Sequence, residues 1–447
     1  MFSNELNSVG HPLASRSRGI LIGSVILVAA AVALVSARTV AATFWVLVAS
    51  FLISLLFRRD LELAHLRPGP VAMSLGAFVL YATLSATWAA VPQLPLEKGG
   101  LALLAGACTL LMAALINAET RPNLMHMGEG LYIGLLIGVV YLLIEILTDQ
   151  AIKLYLYRAL DLGPGDLLPL SYFSWEGNYL RAISTEDLTR NMTDATLFLW
   201  PAIMAVVGVW RRPWCQLAAG ALLLLTAVVV LASNHASSKL ALVTGLTVFA
   251  LASLSLRWTR RAVTVAWLIL CLAVLPLALL AHRIDIQDAD WLEQSAKHRV
   301  IIWNYTAEKT LDAPILGVGA NMTYLIGPEL ERHAPPSSQL LGVPRTLSIH
   351  SHCIYLQTWF ELGAVGALLL TAFGLSVIAA IGGLAARTQP YAYATFASSA
   401  AMAAVSYGMW QTWFIASFAL TAVLCVLGTR CLARDDRPGA PAPGGAG

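Results

Sequence analysis

Apolar runs about the length of a membrane crossing recur along almost the whole chain and leave it very few ways to fold. A helix needs ~20 mostly apolar residues to span the hydrocarbon core of a bilayer. Twelve runs qualify, at about 19–37, 40–57, 71–90, 99–117, 129–148, 191–210, 215–232, 239–256, 262–281, 353–386, 391–407 and 411–429, by that rule. The 353–386 run exceeds a crossing, so part of it should tilt or lie outside. Only 12% of the residues are charged, against about 25% in soluble domains, so lipid is the solvent along the whole length. Runs such as GALLLLTAVVVLAS do not alternate as the strands of a membrane barrel do. The expected fold is all-α, a polytopic bundle of about 12 transmembrane helices.

Basic residues in the short loops set the orientation. Arg16 and Arg18 precede the first run; Arg58, Arg59 and Arg67 follow the second. Arg121, Arg211, Arg212, Arg257, Arg260, Arg261, Arg387, Arg430, Arg434 and Arg437 follow later even-numbered runs. With twelve crossings all of them fall on one side, which the rule makes cytoplasmic together with both termini. No small-residue cleavage site follows the first run, so it reads as a retained anchor. The expected division is 1–281, helices one to nine with an outer loop at 149–190; 282–350, a large outer loop; 351–429, helices ten to twelve; and 430–447, a disordered tail. In a bacterium the outer loops lie in the periplasm. A net charge of +3 with scattered Lys and Arg gives no case for nucleic acid. Six cysteines without CxxC spacing predict neither a disulfide framework nor a zinc site.

Polar groups at membrane depth are costly and mark function by default. Lys239 sits in SNHASSK, the tight outer turn between runs seven and eight; it reads either as part of a site or as a snorkelling lysine. Arg190 and Asn191 open run six, with Arg181 upstream. An arginine at a helix start opposes the macrodipole, so either a phosphate or an interfacial anchoring role favours it there. Glu145 is placed to pair with one of these arginines. In the long loop Arg299 and Trp303 are four apart and share a helix face. Pro314 and the GVG glycines end that helix. His350 and His352 flank Ser351 just before run ten; an HxH pair without a third ligand at diagnostic spacing makes a weak metal site. Asp288 and Asp290 lie in a solvated acidic run and read as surface. The chain has no Walker A motif, no GxGxxG and no nucleophile elbow. Energy for any synthesis outside the membrane must then come with the substrate, and outward-facing arginines suit a pyrophosphate.

RVIIWNYTAEKTLDAPILGVG followed by HSHCIYLQTWFELGAVG resembles the signature of the O-antigen ligase and O-antigen polymerase superfamily. The resemblance covers about 70 residues, carrying an Arg, a Trp four later, a Pro-x-x-Gly-x-Gly turn, and a His four before Leu-Gln with Glu-x-Gly following; the twelve-run layout agrees with it. It implies glycosyl transfer at the periplasmic face of the inner membrane, with no metal, cofactor or nucleotide. The donor would be a glycan on undecaprenyl pyrophosphate and the acceptor a sugar hydroxyl of lipid A–core. It places Arg299 and His352, with His350 as the alternative, in catalytic roles. It places Arg181 or Arg190, Lys239, Asn191, Trp303 and Gln357 around pyrophosphate and glycan. Where the family often has Ser-Arg-Gly after run seven, this chain has Ser238-Lys239-Leu240; lysine keeps the charge and loses the bidentate fork. A polymerase and a protein O-oligosaccharyltransferase share the signature. A polytopic transporter is the reading from a different class, and it predicts broken helices with charges near the midplane.

Overall fold

The signature stretch folds around a break in a helix. In the computed structural model, which describes residues 12–56, 68–167, 169–332, 339–340, 343–344 and 347–433, the tenth apolar run forms a helix from Ile354 to Gly382 that is interrupted at Gly363 (φ 62°, ψ −161°). The PILGVG turn fits into this interruption. Ala364 N–H donates to Pro314 O and Val365 N–H to Ile315 O, while Val318 and Gly319 N–H donate to Phe360 and Glu361 O. These bonds replace the intrahelical ones the break removes. A Cβ on Gly363 would lie 2.3 Å from the Ile315 carbonyl carbon, and one on Gly317 2.3 Å from that of Glu361. The excess length of the run is thus a short outer helix and a membrane helix joined at a glycine.

The helices in chain order are α1 Pro12–Val35, α2 Val40–Leu56, α3 Pro70–Leu84, α4 Gln93–Asn117, α5 Arg121–Leu147, α6 Ala151–Ala159, α7 Thr189–Val209 and α8 Trp214–Ala232. They continue with α9 Ala236–Leu254, α10 Leu256–Leu272, α11 Val274–Arg283, α12 Gln294–Thr310, α13 Thr323–Arg332, α14 Ile354–Gly382, α15 Gln389–Val405 and α16 Thr412–Leu432. The chain is an all-α polytopic bundle, with a small antiparallel hairpin, β1 Phe173–Glu176 and β2 Tyr179–Ile183, that hydropathy did not announce. A two-stranded pair, β3 Gln339–Leu340 with β4 Val343–Pro344, lies in the long loop.

Among the described residues ten helical segments are long and apolar enough to span, and α10 with α11 makes an eleventh if the pair, bent by 72°, is one span. The eleventh predicted run forms α15, whose 17 residues are a little short of ~20; it still runs from the basic end, where Gln389 donates to Gly382 O, to the opposite end, where Val405 O accepts from Ser237. It packs against α9 and α7 within the bundle. At the centre is α7, whose span is 89% enclosed by protein, flanked by α5, α8, α15 and α16.

The basic residues gather at one end, as their spacing in the chain predicts. Arg121 donates to Gly208 O of α7 at 2.5 Å and to Arg430 O and Cys431 O of α16. Arg387 donates to Leu432 O, and Arg18 pairs with Glu119 at 3.5 Å. Cations here satisfy the last carbonyls of helices and meet the negative ends of their dipoles. Arg58, Arg59, Arg67 and residues 434–447 lie outside the described residues, whereas Arg430–Leu432, the start of the tail expected to be disordered, belong to α16.

The Glu361 side chain closes the signature. It is fully buried and accepts from Asn321 N (2.8 Å), Thr323 N (3.2 Å), Thr323 Oγ1 (2.5 Å), Gln357 Nε2 (3.0 Å) and Trp410 Nε1 (2.5 Å). Glu361→Gln replaces an all-acceptor group by one that turns a donor toward donors. It should cost about 2–4 kcal/mol, the range for a disrupted buried charged network. Gly363→Ala should cost about 1–3 kcal/mol from backbone strain before any clash. Thermal unfolding of the purified variants in detergent checks both, with clear losses of melting temperature expected against a Glu97→Gln surface control.

Candidate functional site at the end opposite the basic loops

The two signature histidines are held by the α12 helix and by the loop between α15 and α16. Trp303 Nε1 donates to Ser351 O at 2.9 Å, and Ser351 Oγ donates to Cys353 O at 2.8 Å. Ser348 and His352 both take left-handed backbone (φ 54° each), a strained conformation that neighbouring contacts must hold. The His352 ring meets Ser406 O at 2.8 Å through Nδ1. A carbonyl only accepts, so Nδ1 carries the proton and Nε2 presents its lone pair. His350 is the opposite tautomer. Its Nδ1 accepts from the His352 backbone N–H at 3.3 Å, which puts the proton on Nε2. The rings lie edge to face with centroids 4.1 Å apart. His352 thus presents a free acceptor nitrogen, Nε2, and His350 an N–H donor, a distinction the HSH triplet alone left open.

The loop Ser406–Tyr407–Gly408 gathers the site. Ser406 fixes His352, and Gly408 packs against His350, where a Cβ would lie 2.8 Å from the histidine's own Cβ. The Tyr407 ring lies 5.9 Å from that of His235, whose Nδ1 is 2.7 Å from Ser238 Oγ. Ser237 Oγ donates to Val405 O at 2.9 Å, fixing the start of α9 to this loop. Arg299, one turn before Trp303 on α12, is half-buried. Its charge acts on His235, His350 and His352. Arg190 stacks over the Trp413 ring at 5.2 Å, and its charge acts on His350 and Tyr407. Arg190 also lines an adjoining cleft with Arg38, Lys153 and Tyr172, where Asp187 is the acid. Asp187 pairs with Lys153 at 2.6 Å and lies 4.0 Å from Arg38.

Burial sets the protonation states. It lowers His350 to about 3, helped by the charges of His352, Arg190 and Arg299. It lowers His352 to about 4 against the bond to Ser406, with Arg299 adding to the shift, and His235 to about 3 with the help of Arg299. Burial also lowers Arg299 from its ordinary value and raises Tyr407 to about 12. At neutral pH the site therefore holds neutral imidazoles and a protonated phenol between cations.

The remaining predicted residues are placed as follows. Trp303 spends its indole N–H on Ser351, and Gln357 spends its amide on Glu361 and on Met409 N (3.1 Å). Both hold the site's frame through these bonds. Asn191 is buried and donates to Leu34 O at 2.7 Å, tying α7 to the end of α1. Arg181 is exposed on β2 beside Glu176 at 3.8 Å. Lys239 is half-buried with no carboxylate partner among the described residues. Glu145 does not pair with an arginine: its Oε1 accepts from Lys153 N at 2.9 Å, because the loop after α5 turns back over it. Asp288 and Asp290 are exposed. Among the described residues no three His, Cys, Asp or Glu are grouped to hold a metal. His235, Tyr407 and Arg38 were missed. His235 was visible only as polar company for Lys239, and nothing in the sequence links positions 38 or 407 to the HSH triplet.

Fold and site together define a multi-pass membrane protein with a cationic, imidazole-lined site at one end of its bundle. Residues 221–371 match the family model described as O-antigen ligase. The similar curated proteins are provisionally named polysaccharide ligases. That of Rickettsia conorii is 30% identical over 127 residues, that of Rickettsia typhi 30% over 125, and that of Rickettsia prowazekii 29% over 127. These matches span 28% of this chain and 30% of each relative's length.

All three imidazoles have folded values below 6.5. The stability they contribute is therefore present above about 6.5 and lost as pH falls toward 4 and 3. Histidine side-chain NMR of the protein in micelles should show His352 and His350 still neutral at about pH 5.5, where a free imidazole is charged. Arg299→Ala should move all three midpoints upward, since it removes a cation that disfavours protonation. Unmoved midpoints would place Arg299 away from the rings.

Proposed function

We propose that this protein is an O-antigen ligase. It transfers a glycan from undecaprenyl pyrophosphate to a sugar hydroxyl of lipid A–core at the periplasmic face of the inner membrane. The observation that carries this reading is the meeting of Arg190, Arg299, His350 and His352 around the Ser406–Gly408 loop. Arg190 and Arg299 hold the pyrophosphate, and Arg38 and Lys153 extend the positive cleft. The acceptor oxygen attacks the anomeric carbon as its bond to the phosphate oxygen breaks. The pyrophosphate leaves with the bonding electrons, and the hydroxyl proton passes to His352 Nε2. Fixed guanidinium donors stabilise the charge that grows on the leaving oxygen. The neutral His352 orients the hydroxyl and takes its proton. His350 Nε2–H donates to a phosphate or sugar oxygen.

The transporter reading loses its support at the helix breaks. A transporter's broken helices offer freed backbone groups to substrate. Here the break at Gly363 is filled by the PILGVG backbone, and at the α10–α11 bend Cys271 O accepts from Trp359 Nε1 at 2.7 Å.

Arg299→Ala should lower transfer from lipid-linked glycan to lipid A–core by about 10²–10³, and His352→Ala by about 10²–10⁴. Arg299→Lys should recover little, since an ammonium cannot fork across two phosphate oxygens. His350→Ala should be milder. The assay uses purified variants, with donor binding measured separately. Full activity in Arg299→Ala removes the pyrophosphate assignment, and a dead His350→Ala beside an active His352→Ala moves the base two residues upstream. Orientation is tested in the same variants' background lacking native cysteines. A membrane-impermeant maleimide should label Glu186→Cys in intact spheroplasts and leave Arg211→Cys unlabelled.

A further inference from the structure

At the opposite end from the imidazoles lies a cavity of about 610 Å³ lined by Leu256, Arg257, Arg260, Arg261, Thr264, Val265, Gly382 and Gln389. Its size falls within the ~300–1,000 Å³ of ordinary ligand pockets. We propose that it binds the phosphate headgroup of an anionic phospholipid from the leaflet at that end, with an acyl chain running along α10.

Charge is the first argument. Arg257, Arg260 and Arg261 come within one turn of α10, and none has an ion-pair partner among the described residues. Helix carbonyls do not consume them either. At the end of α14 the carbonyls of Gly382 and Leu384 are taken by Gln389 Nε2, at 3.3 and 2.8 Å. Arg260 packs against Gly382, where a Cβ would lie 3.1 Å from its Nη1, yet its donors stay available. This contrasts with Arg121 and Arg387 at the same end, which spend theirs on helix ends. Arg261 lies over the exposed Trp258 ring at 4.9 Å, an amphipathic pair suited to the headgroup level.

Shape is the second argument. The cavity is lined by the three arginines together with apolar Leu256 and Val265. Below Val265 the outer surface of α10 continues with exposed Ile269 and Leu272, a track for a hydrocarbon chain. A free phosphate would use the guanidinium groups alone, whereas a phospholipid uses both parts. Basic pockets between membrane helices are a known kind of site for anionic lipid heads.

Native mass spectrometry of the full chain released from nanodiscs tests this, using phosphatidylglycerol mixed with phosphatidylcholine. A retained phosphatidylglycerol is expected, with no retained phosphatidylcholine. Each arginine near an anionic surface contributes roughly fivefold, so Arg257→Ala/Arg260→Ala/Arg261→Ala should weaken retention roughly a hundredfold. Gly382→Leu, which puts a side chain into the cavity beside Arg260 and keeps every charge, should also weaken retention. Both variants are first checked for unchanged helical circular dichroism and monodisperse elution. In a thermal-shift arm, inorganic phosphate should leave the melting temperature unchanged where phosphatidylglycerol raises it. Equal retention of phosphatidylcholine, undiminished retention in the triple variant, or an equal shift from inorganic phosphate would each overturn the proposal.

Discussion

A carboxylate with no access to water must find its solvation inside the protein, and Glu361 finds it from four N–H groups and one hydroxyl. An unpaired charge at that depth would not survive folding. The donors come from three places: the segment after the GVG turn, the outer part of α14, and the loop before α16. Satisfying one side chain therefore fixes three pieces of chain that are remote in sequence. These pieces lead to Arg299, to the HSH triplet and to Ser406–Gly408. The signature reads as two motifs in the sequence and is one interlocked structure in space.

On the proposed function, the electrostatics of the site couple binding to basicity. Burial holds the imidazoles neutral, with the charge of Arg299 adding to it at both rings and that of Arg190 at His350. A bound pyrophosphate offsets those cations. Its arrival raises the proton affinity of His352 while the acceptor hydroxyl is being positioned. Without donor, the lone pair on Nε2 stays free of protons across the physiological range. The tautomer that makes this possible is set by one backbone carbonyl, that of Ser406.

Much of this was legible before any coordinates. Run length and basic loops gave the bundle, because a helix in lipid has few alternatives. Arg299 and Trp303 declared a shared helix face through their spacing. The break at Gly363 was not legible, since the run from 353 to 386 is apolar throughout and only its excess length hinted at two parts. The short α15 was read from its apolar run alone, and its packing beside α7 and α9 carries it from one end of the bundle to the other. Gln357 and Trp303 were found as signature residues, but sequence does not tell a side chain that meets substrate from one that holds the frame. His235, Tyr407 and Arg38 escaped because only tertiary packing brings them to the site.

The central claim is that Arg190 and Arg299 flank a pyrophosphate next to His352. A cryo-electron microscopy structure of the protein in a nanodisc with undecaprenyl pyrophosphate tests it most directly. The account predicts the two phosphates between these guanidinium groups, with the polyprenyl chain leaving between helices toward lipid and Nε2 of His352 facing the terminal phosphate. A pyrophosphate bound elsewhere on the bundle, with Arg299 making no contact to it, would contradict the account.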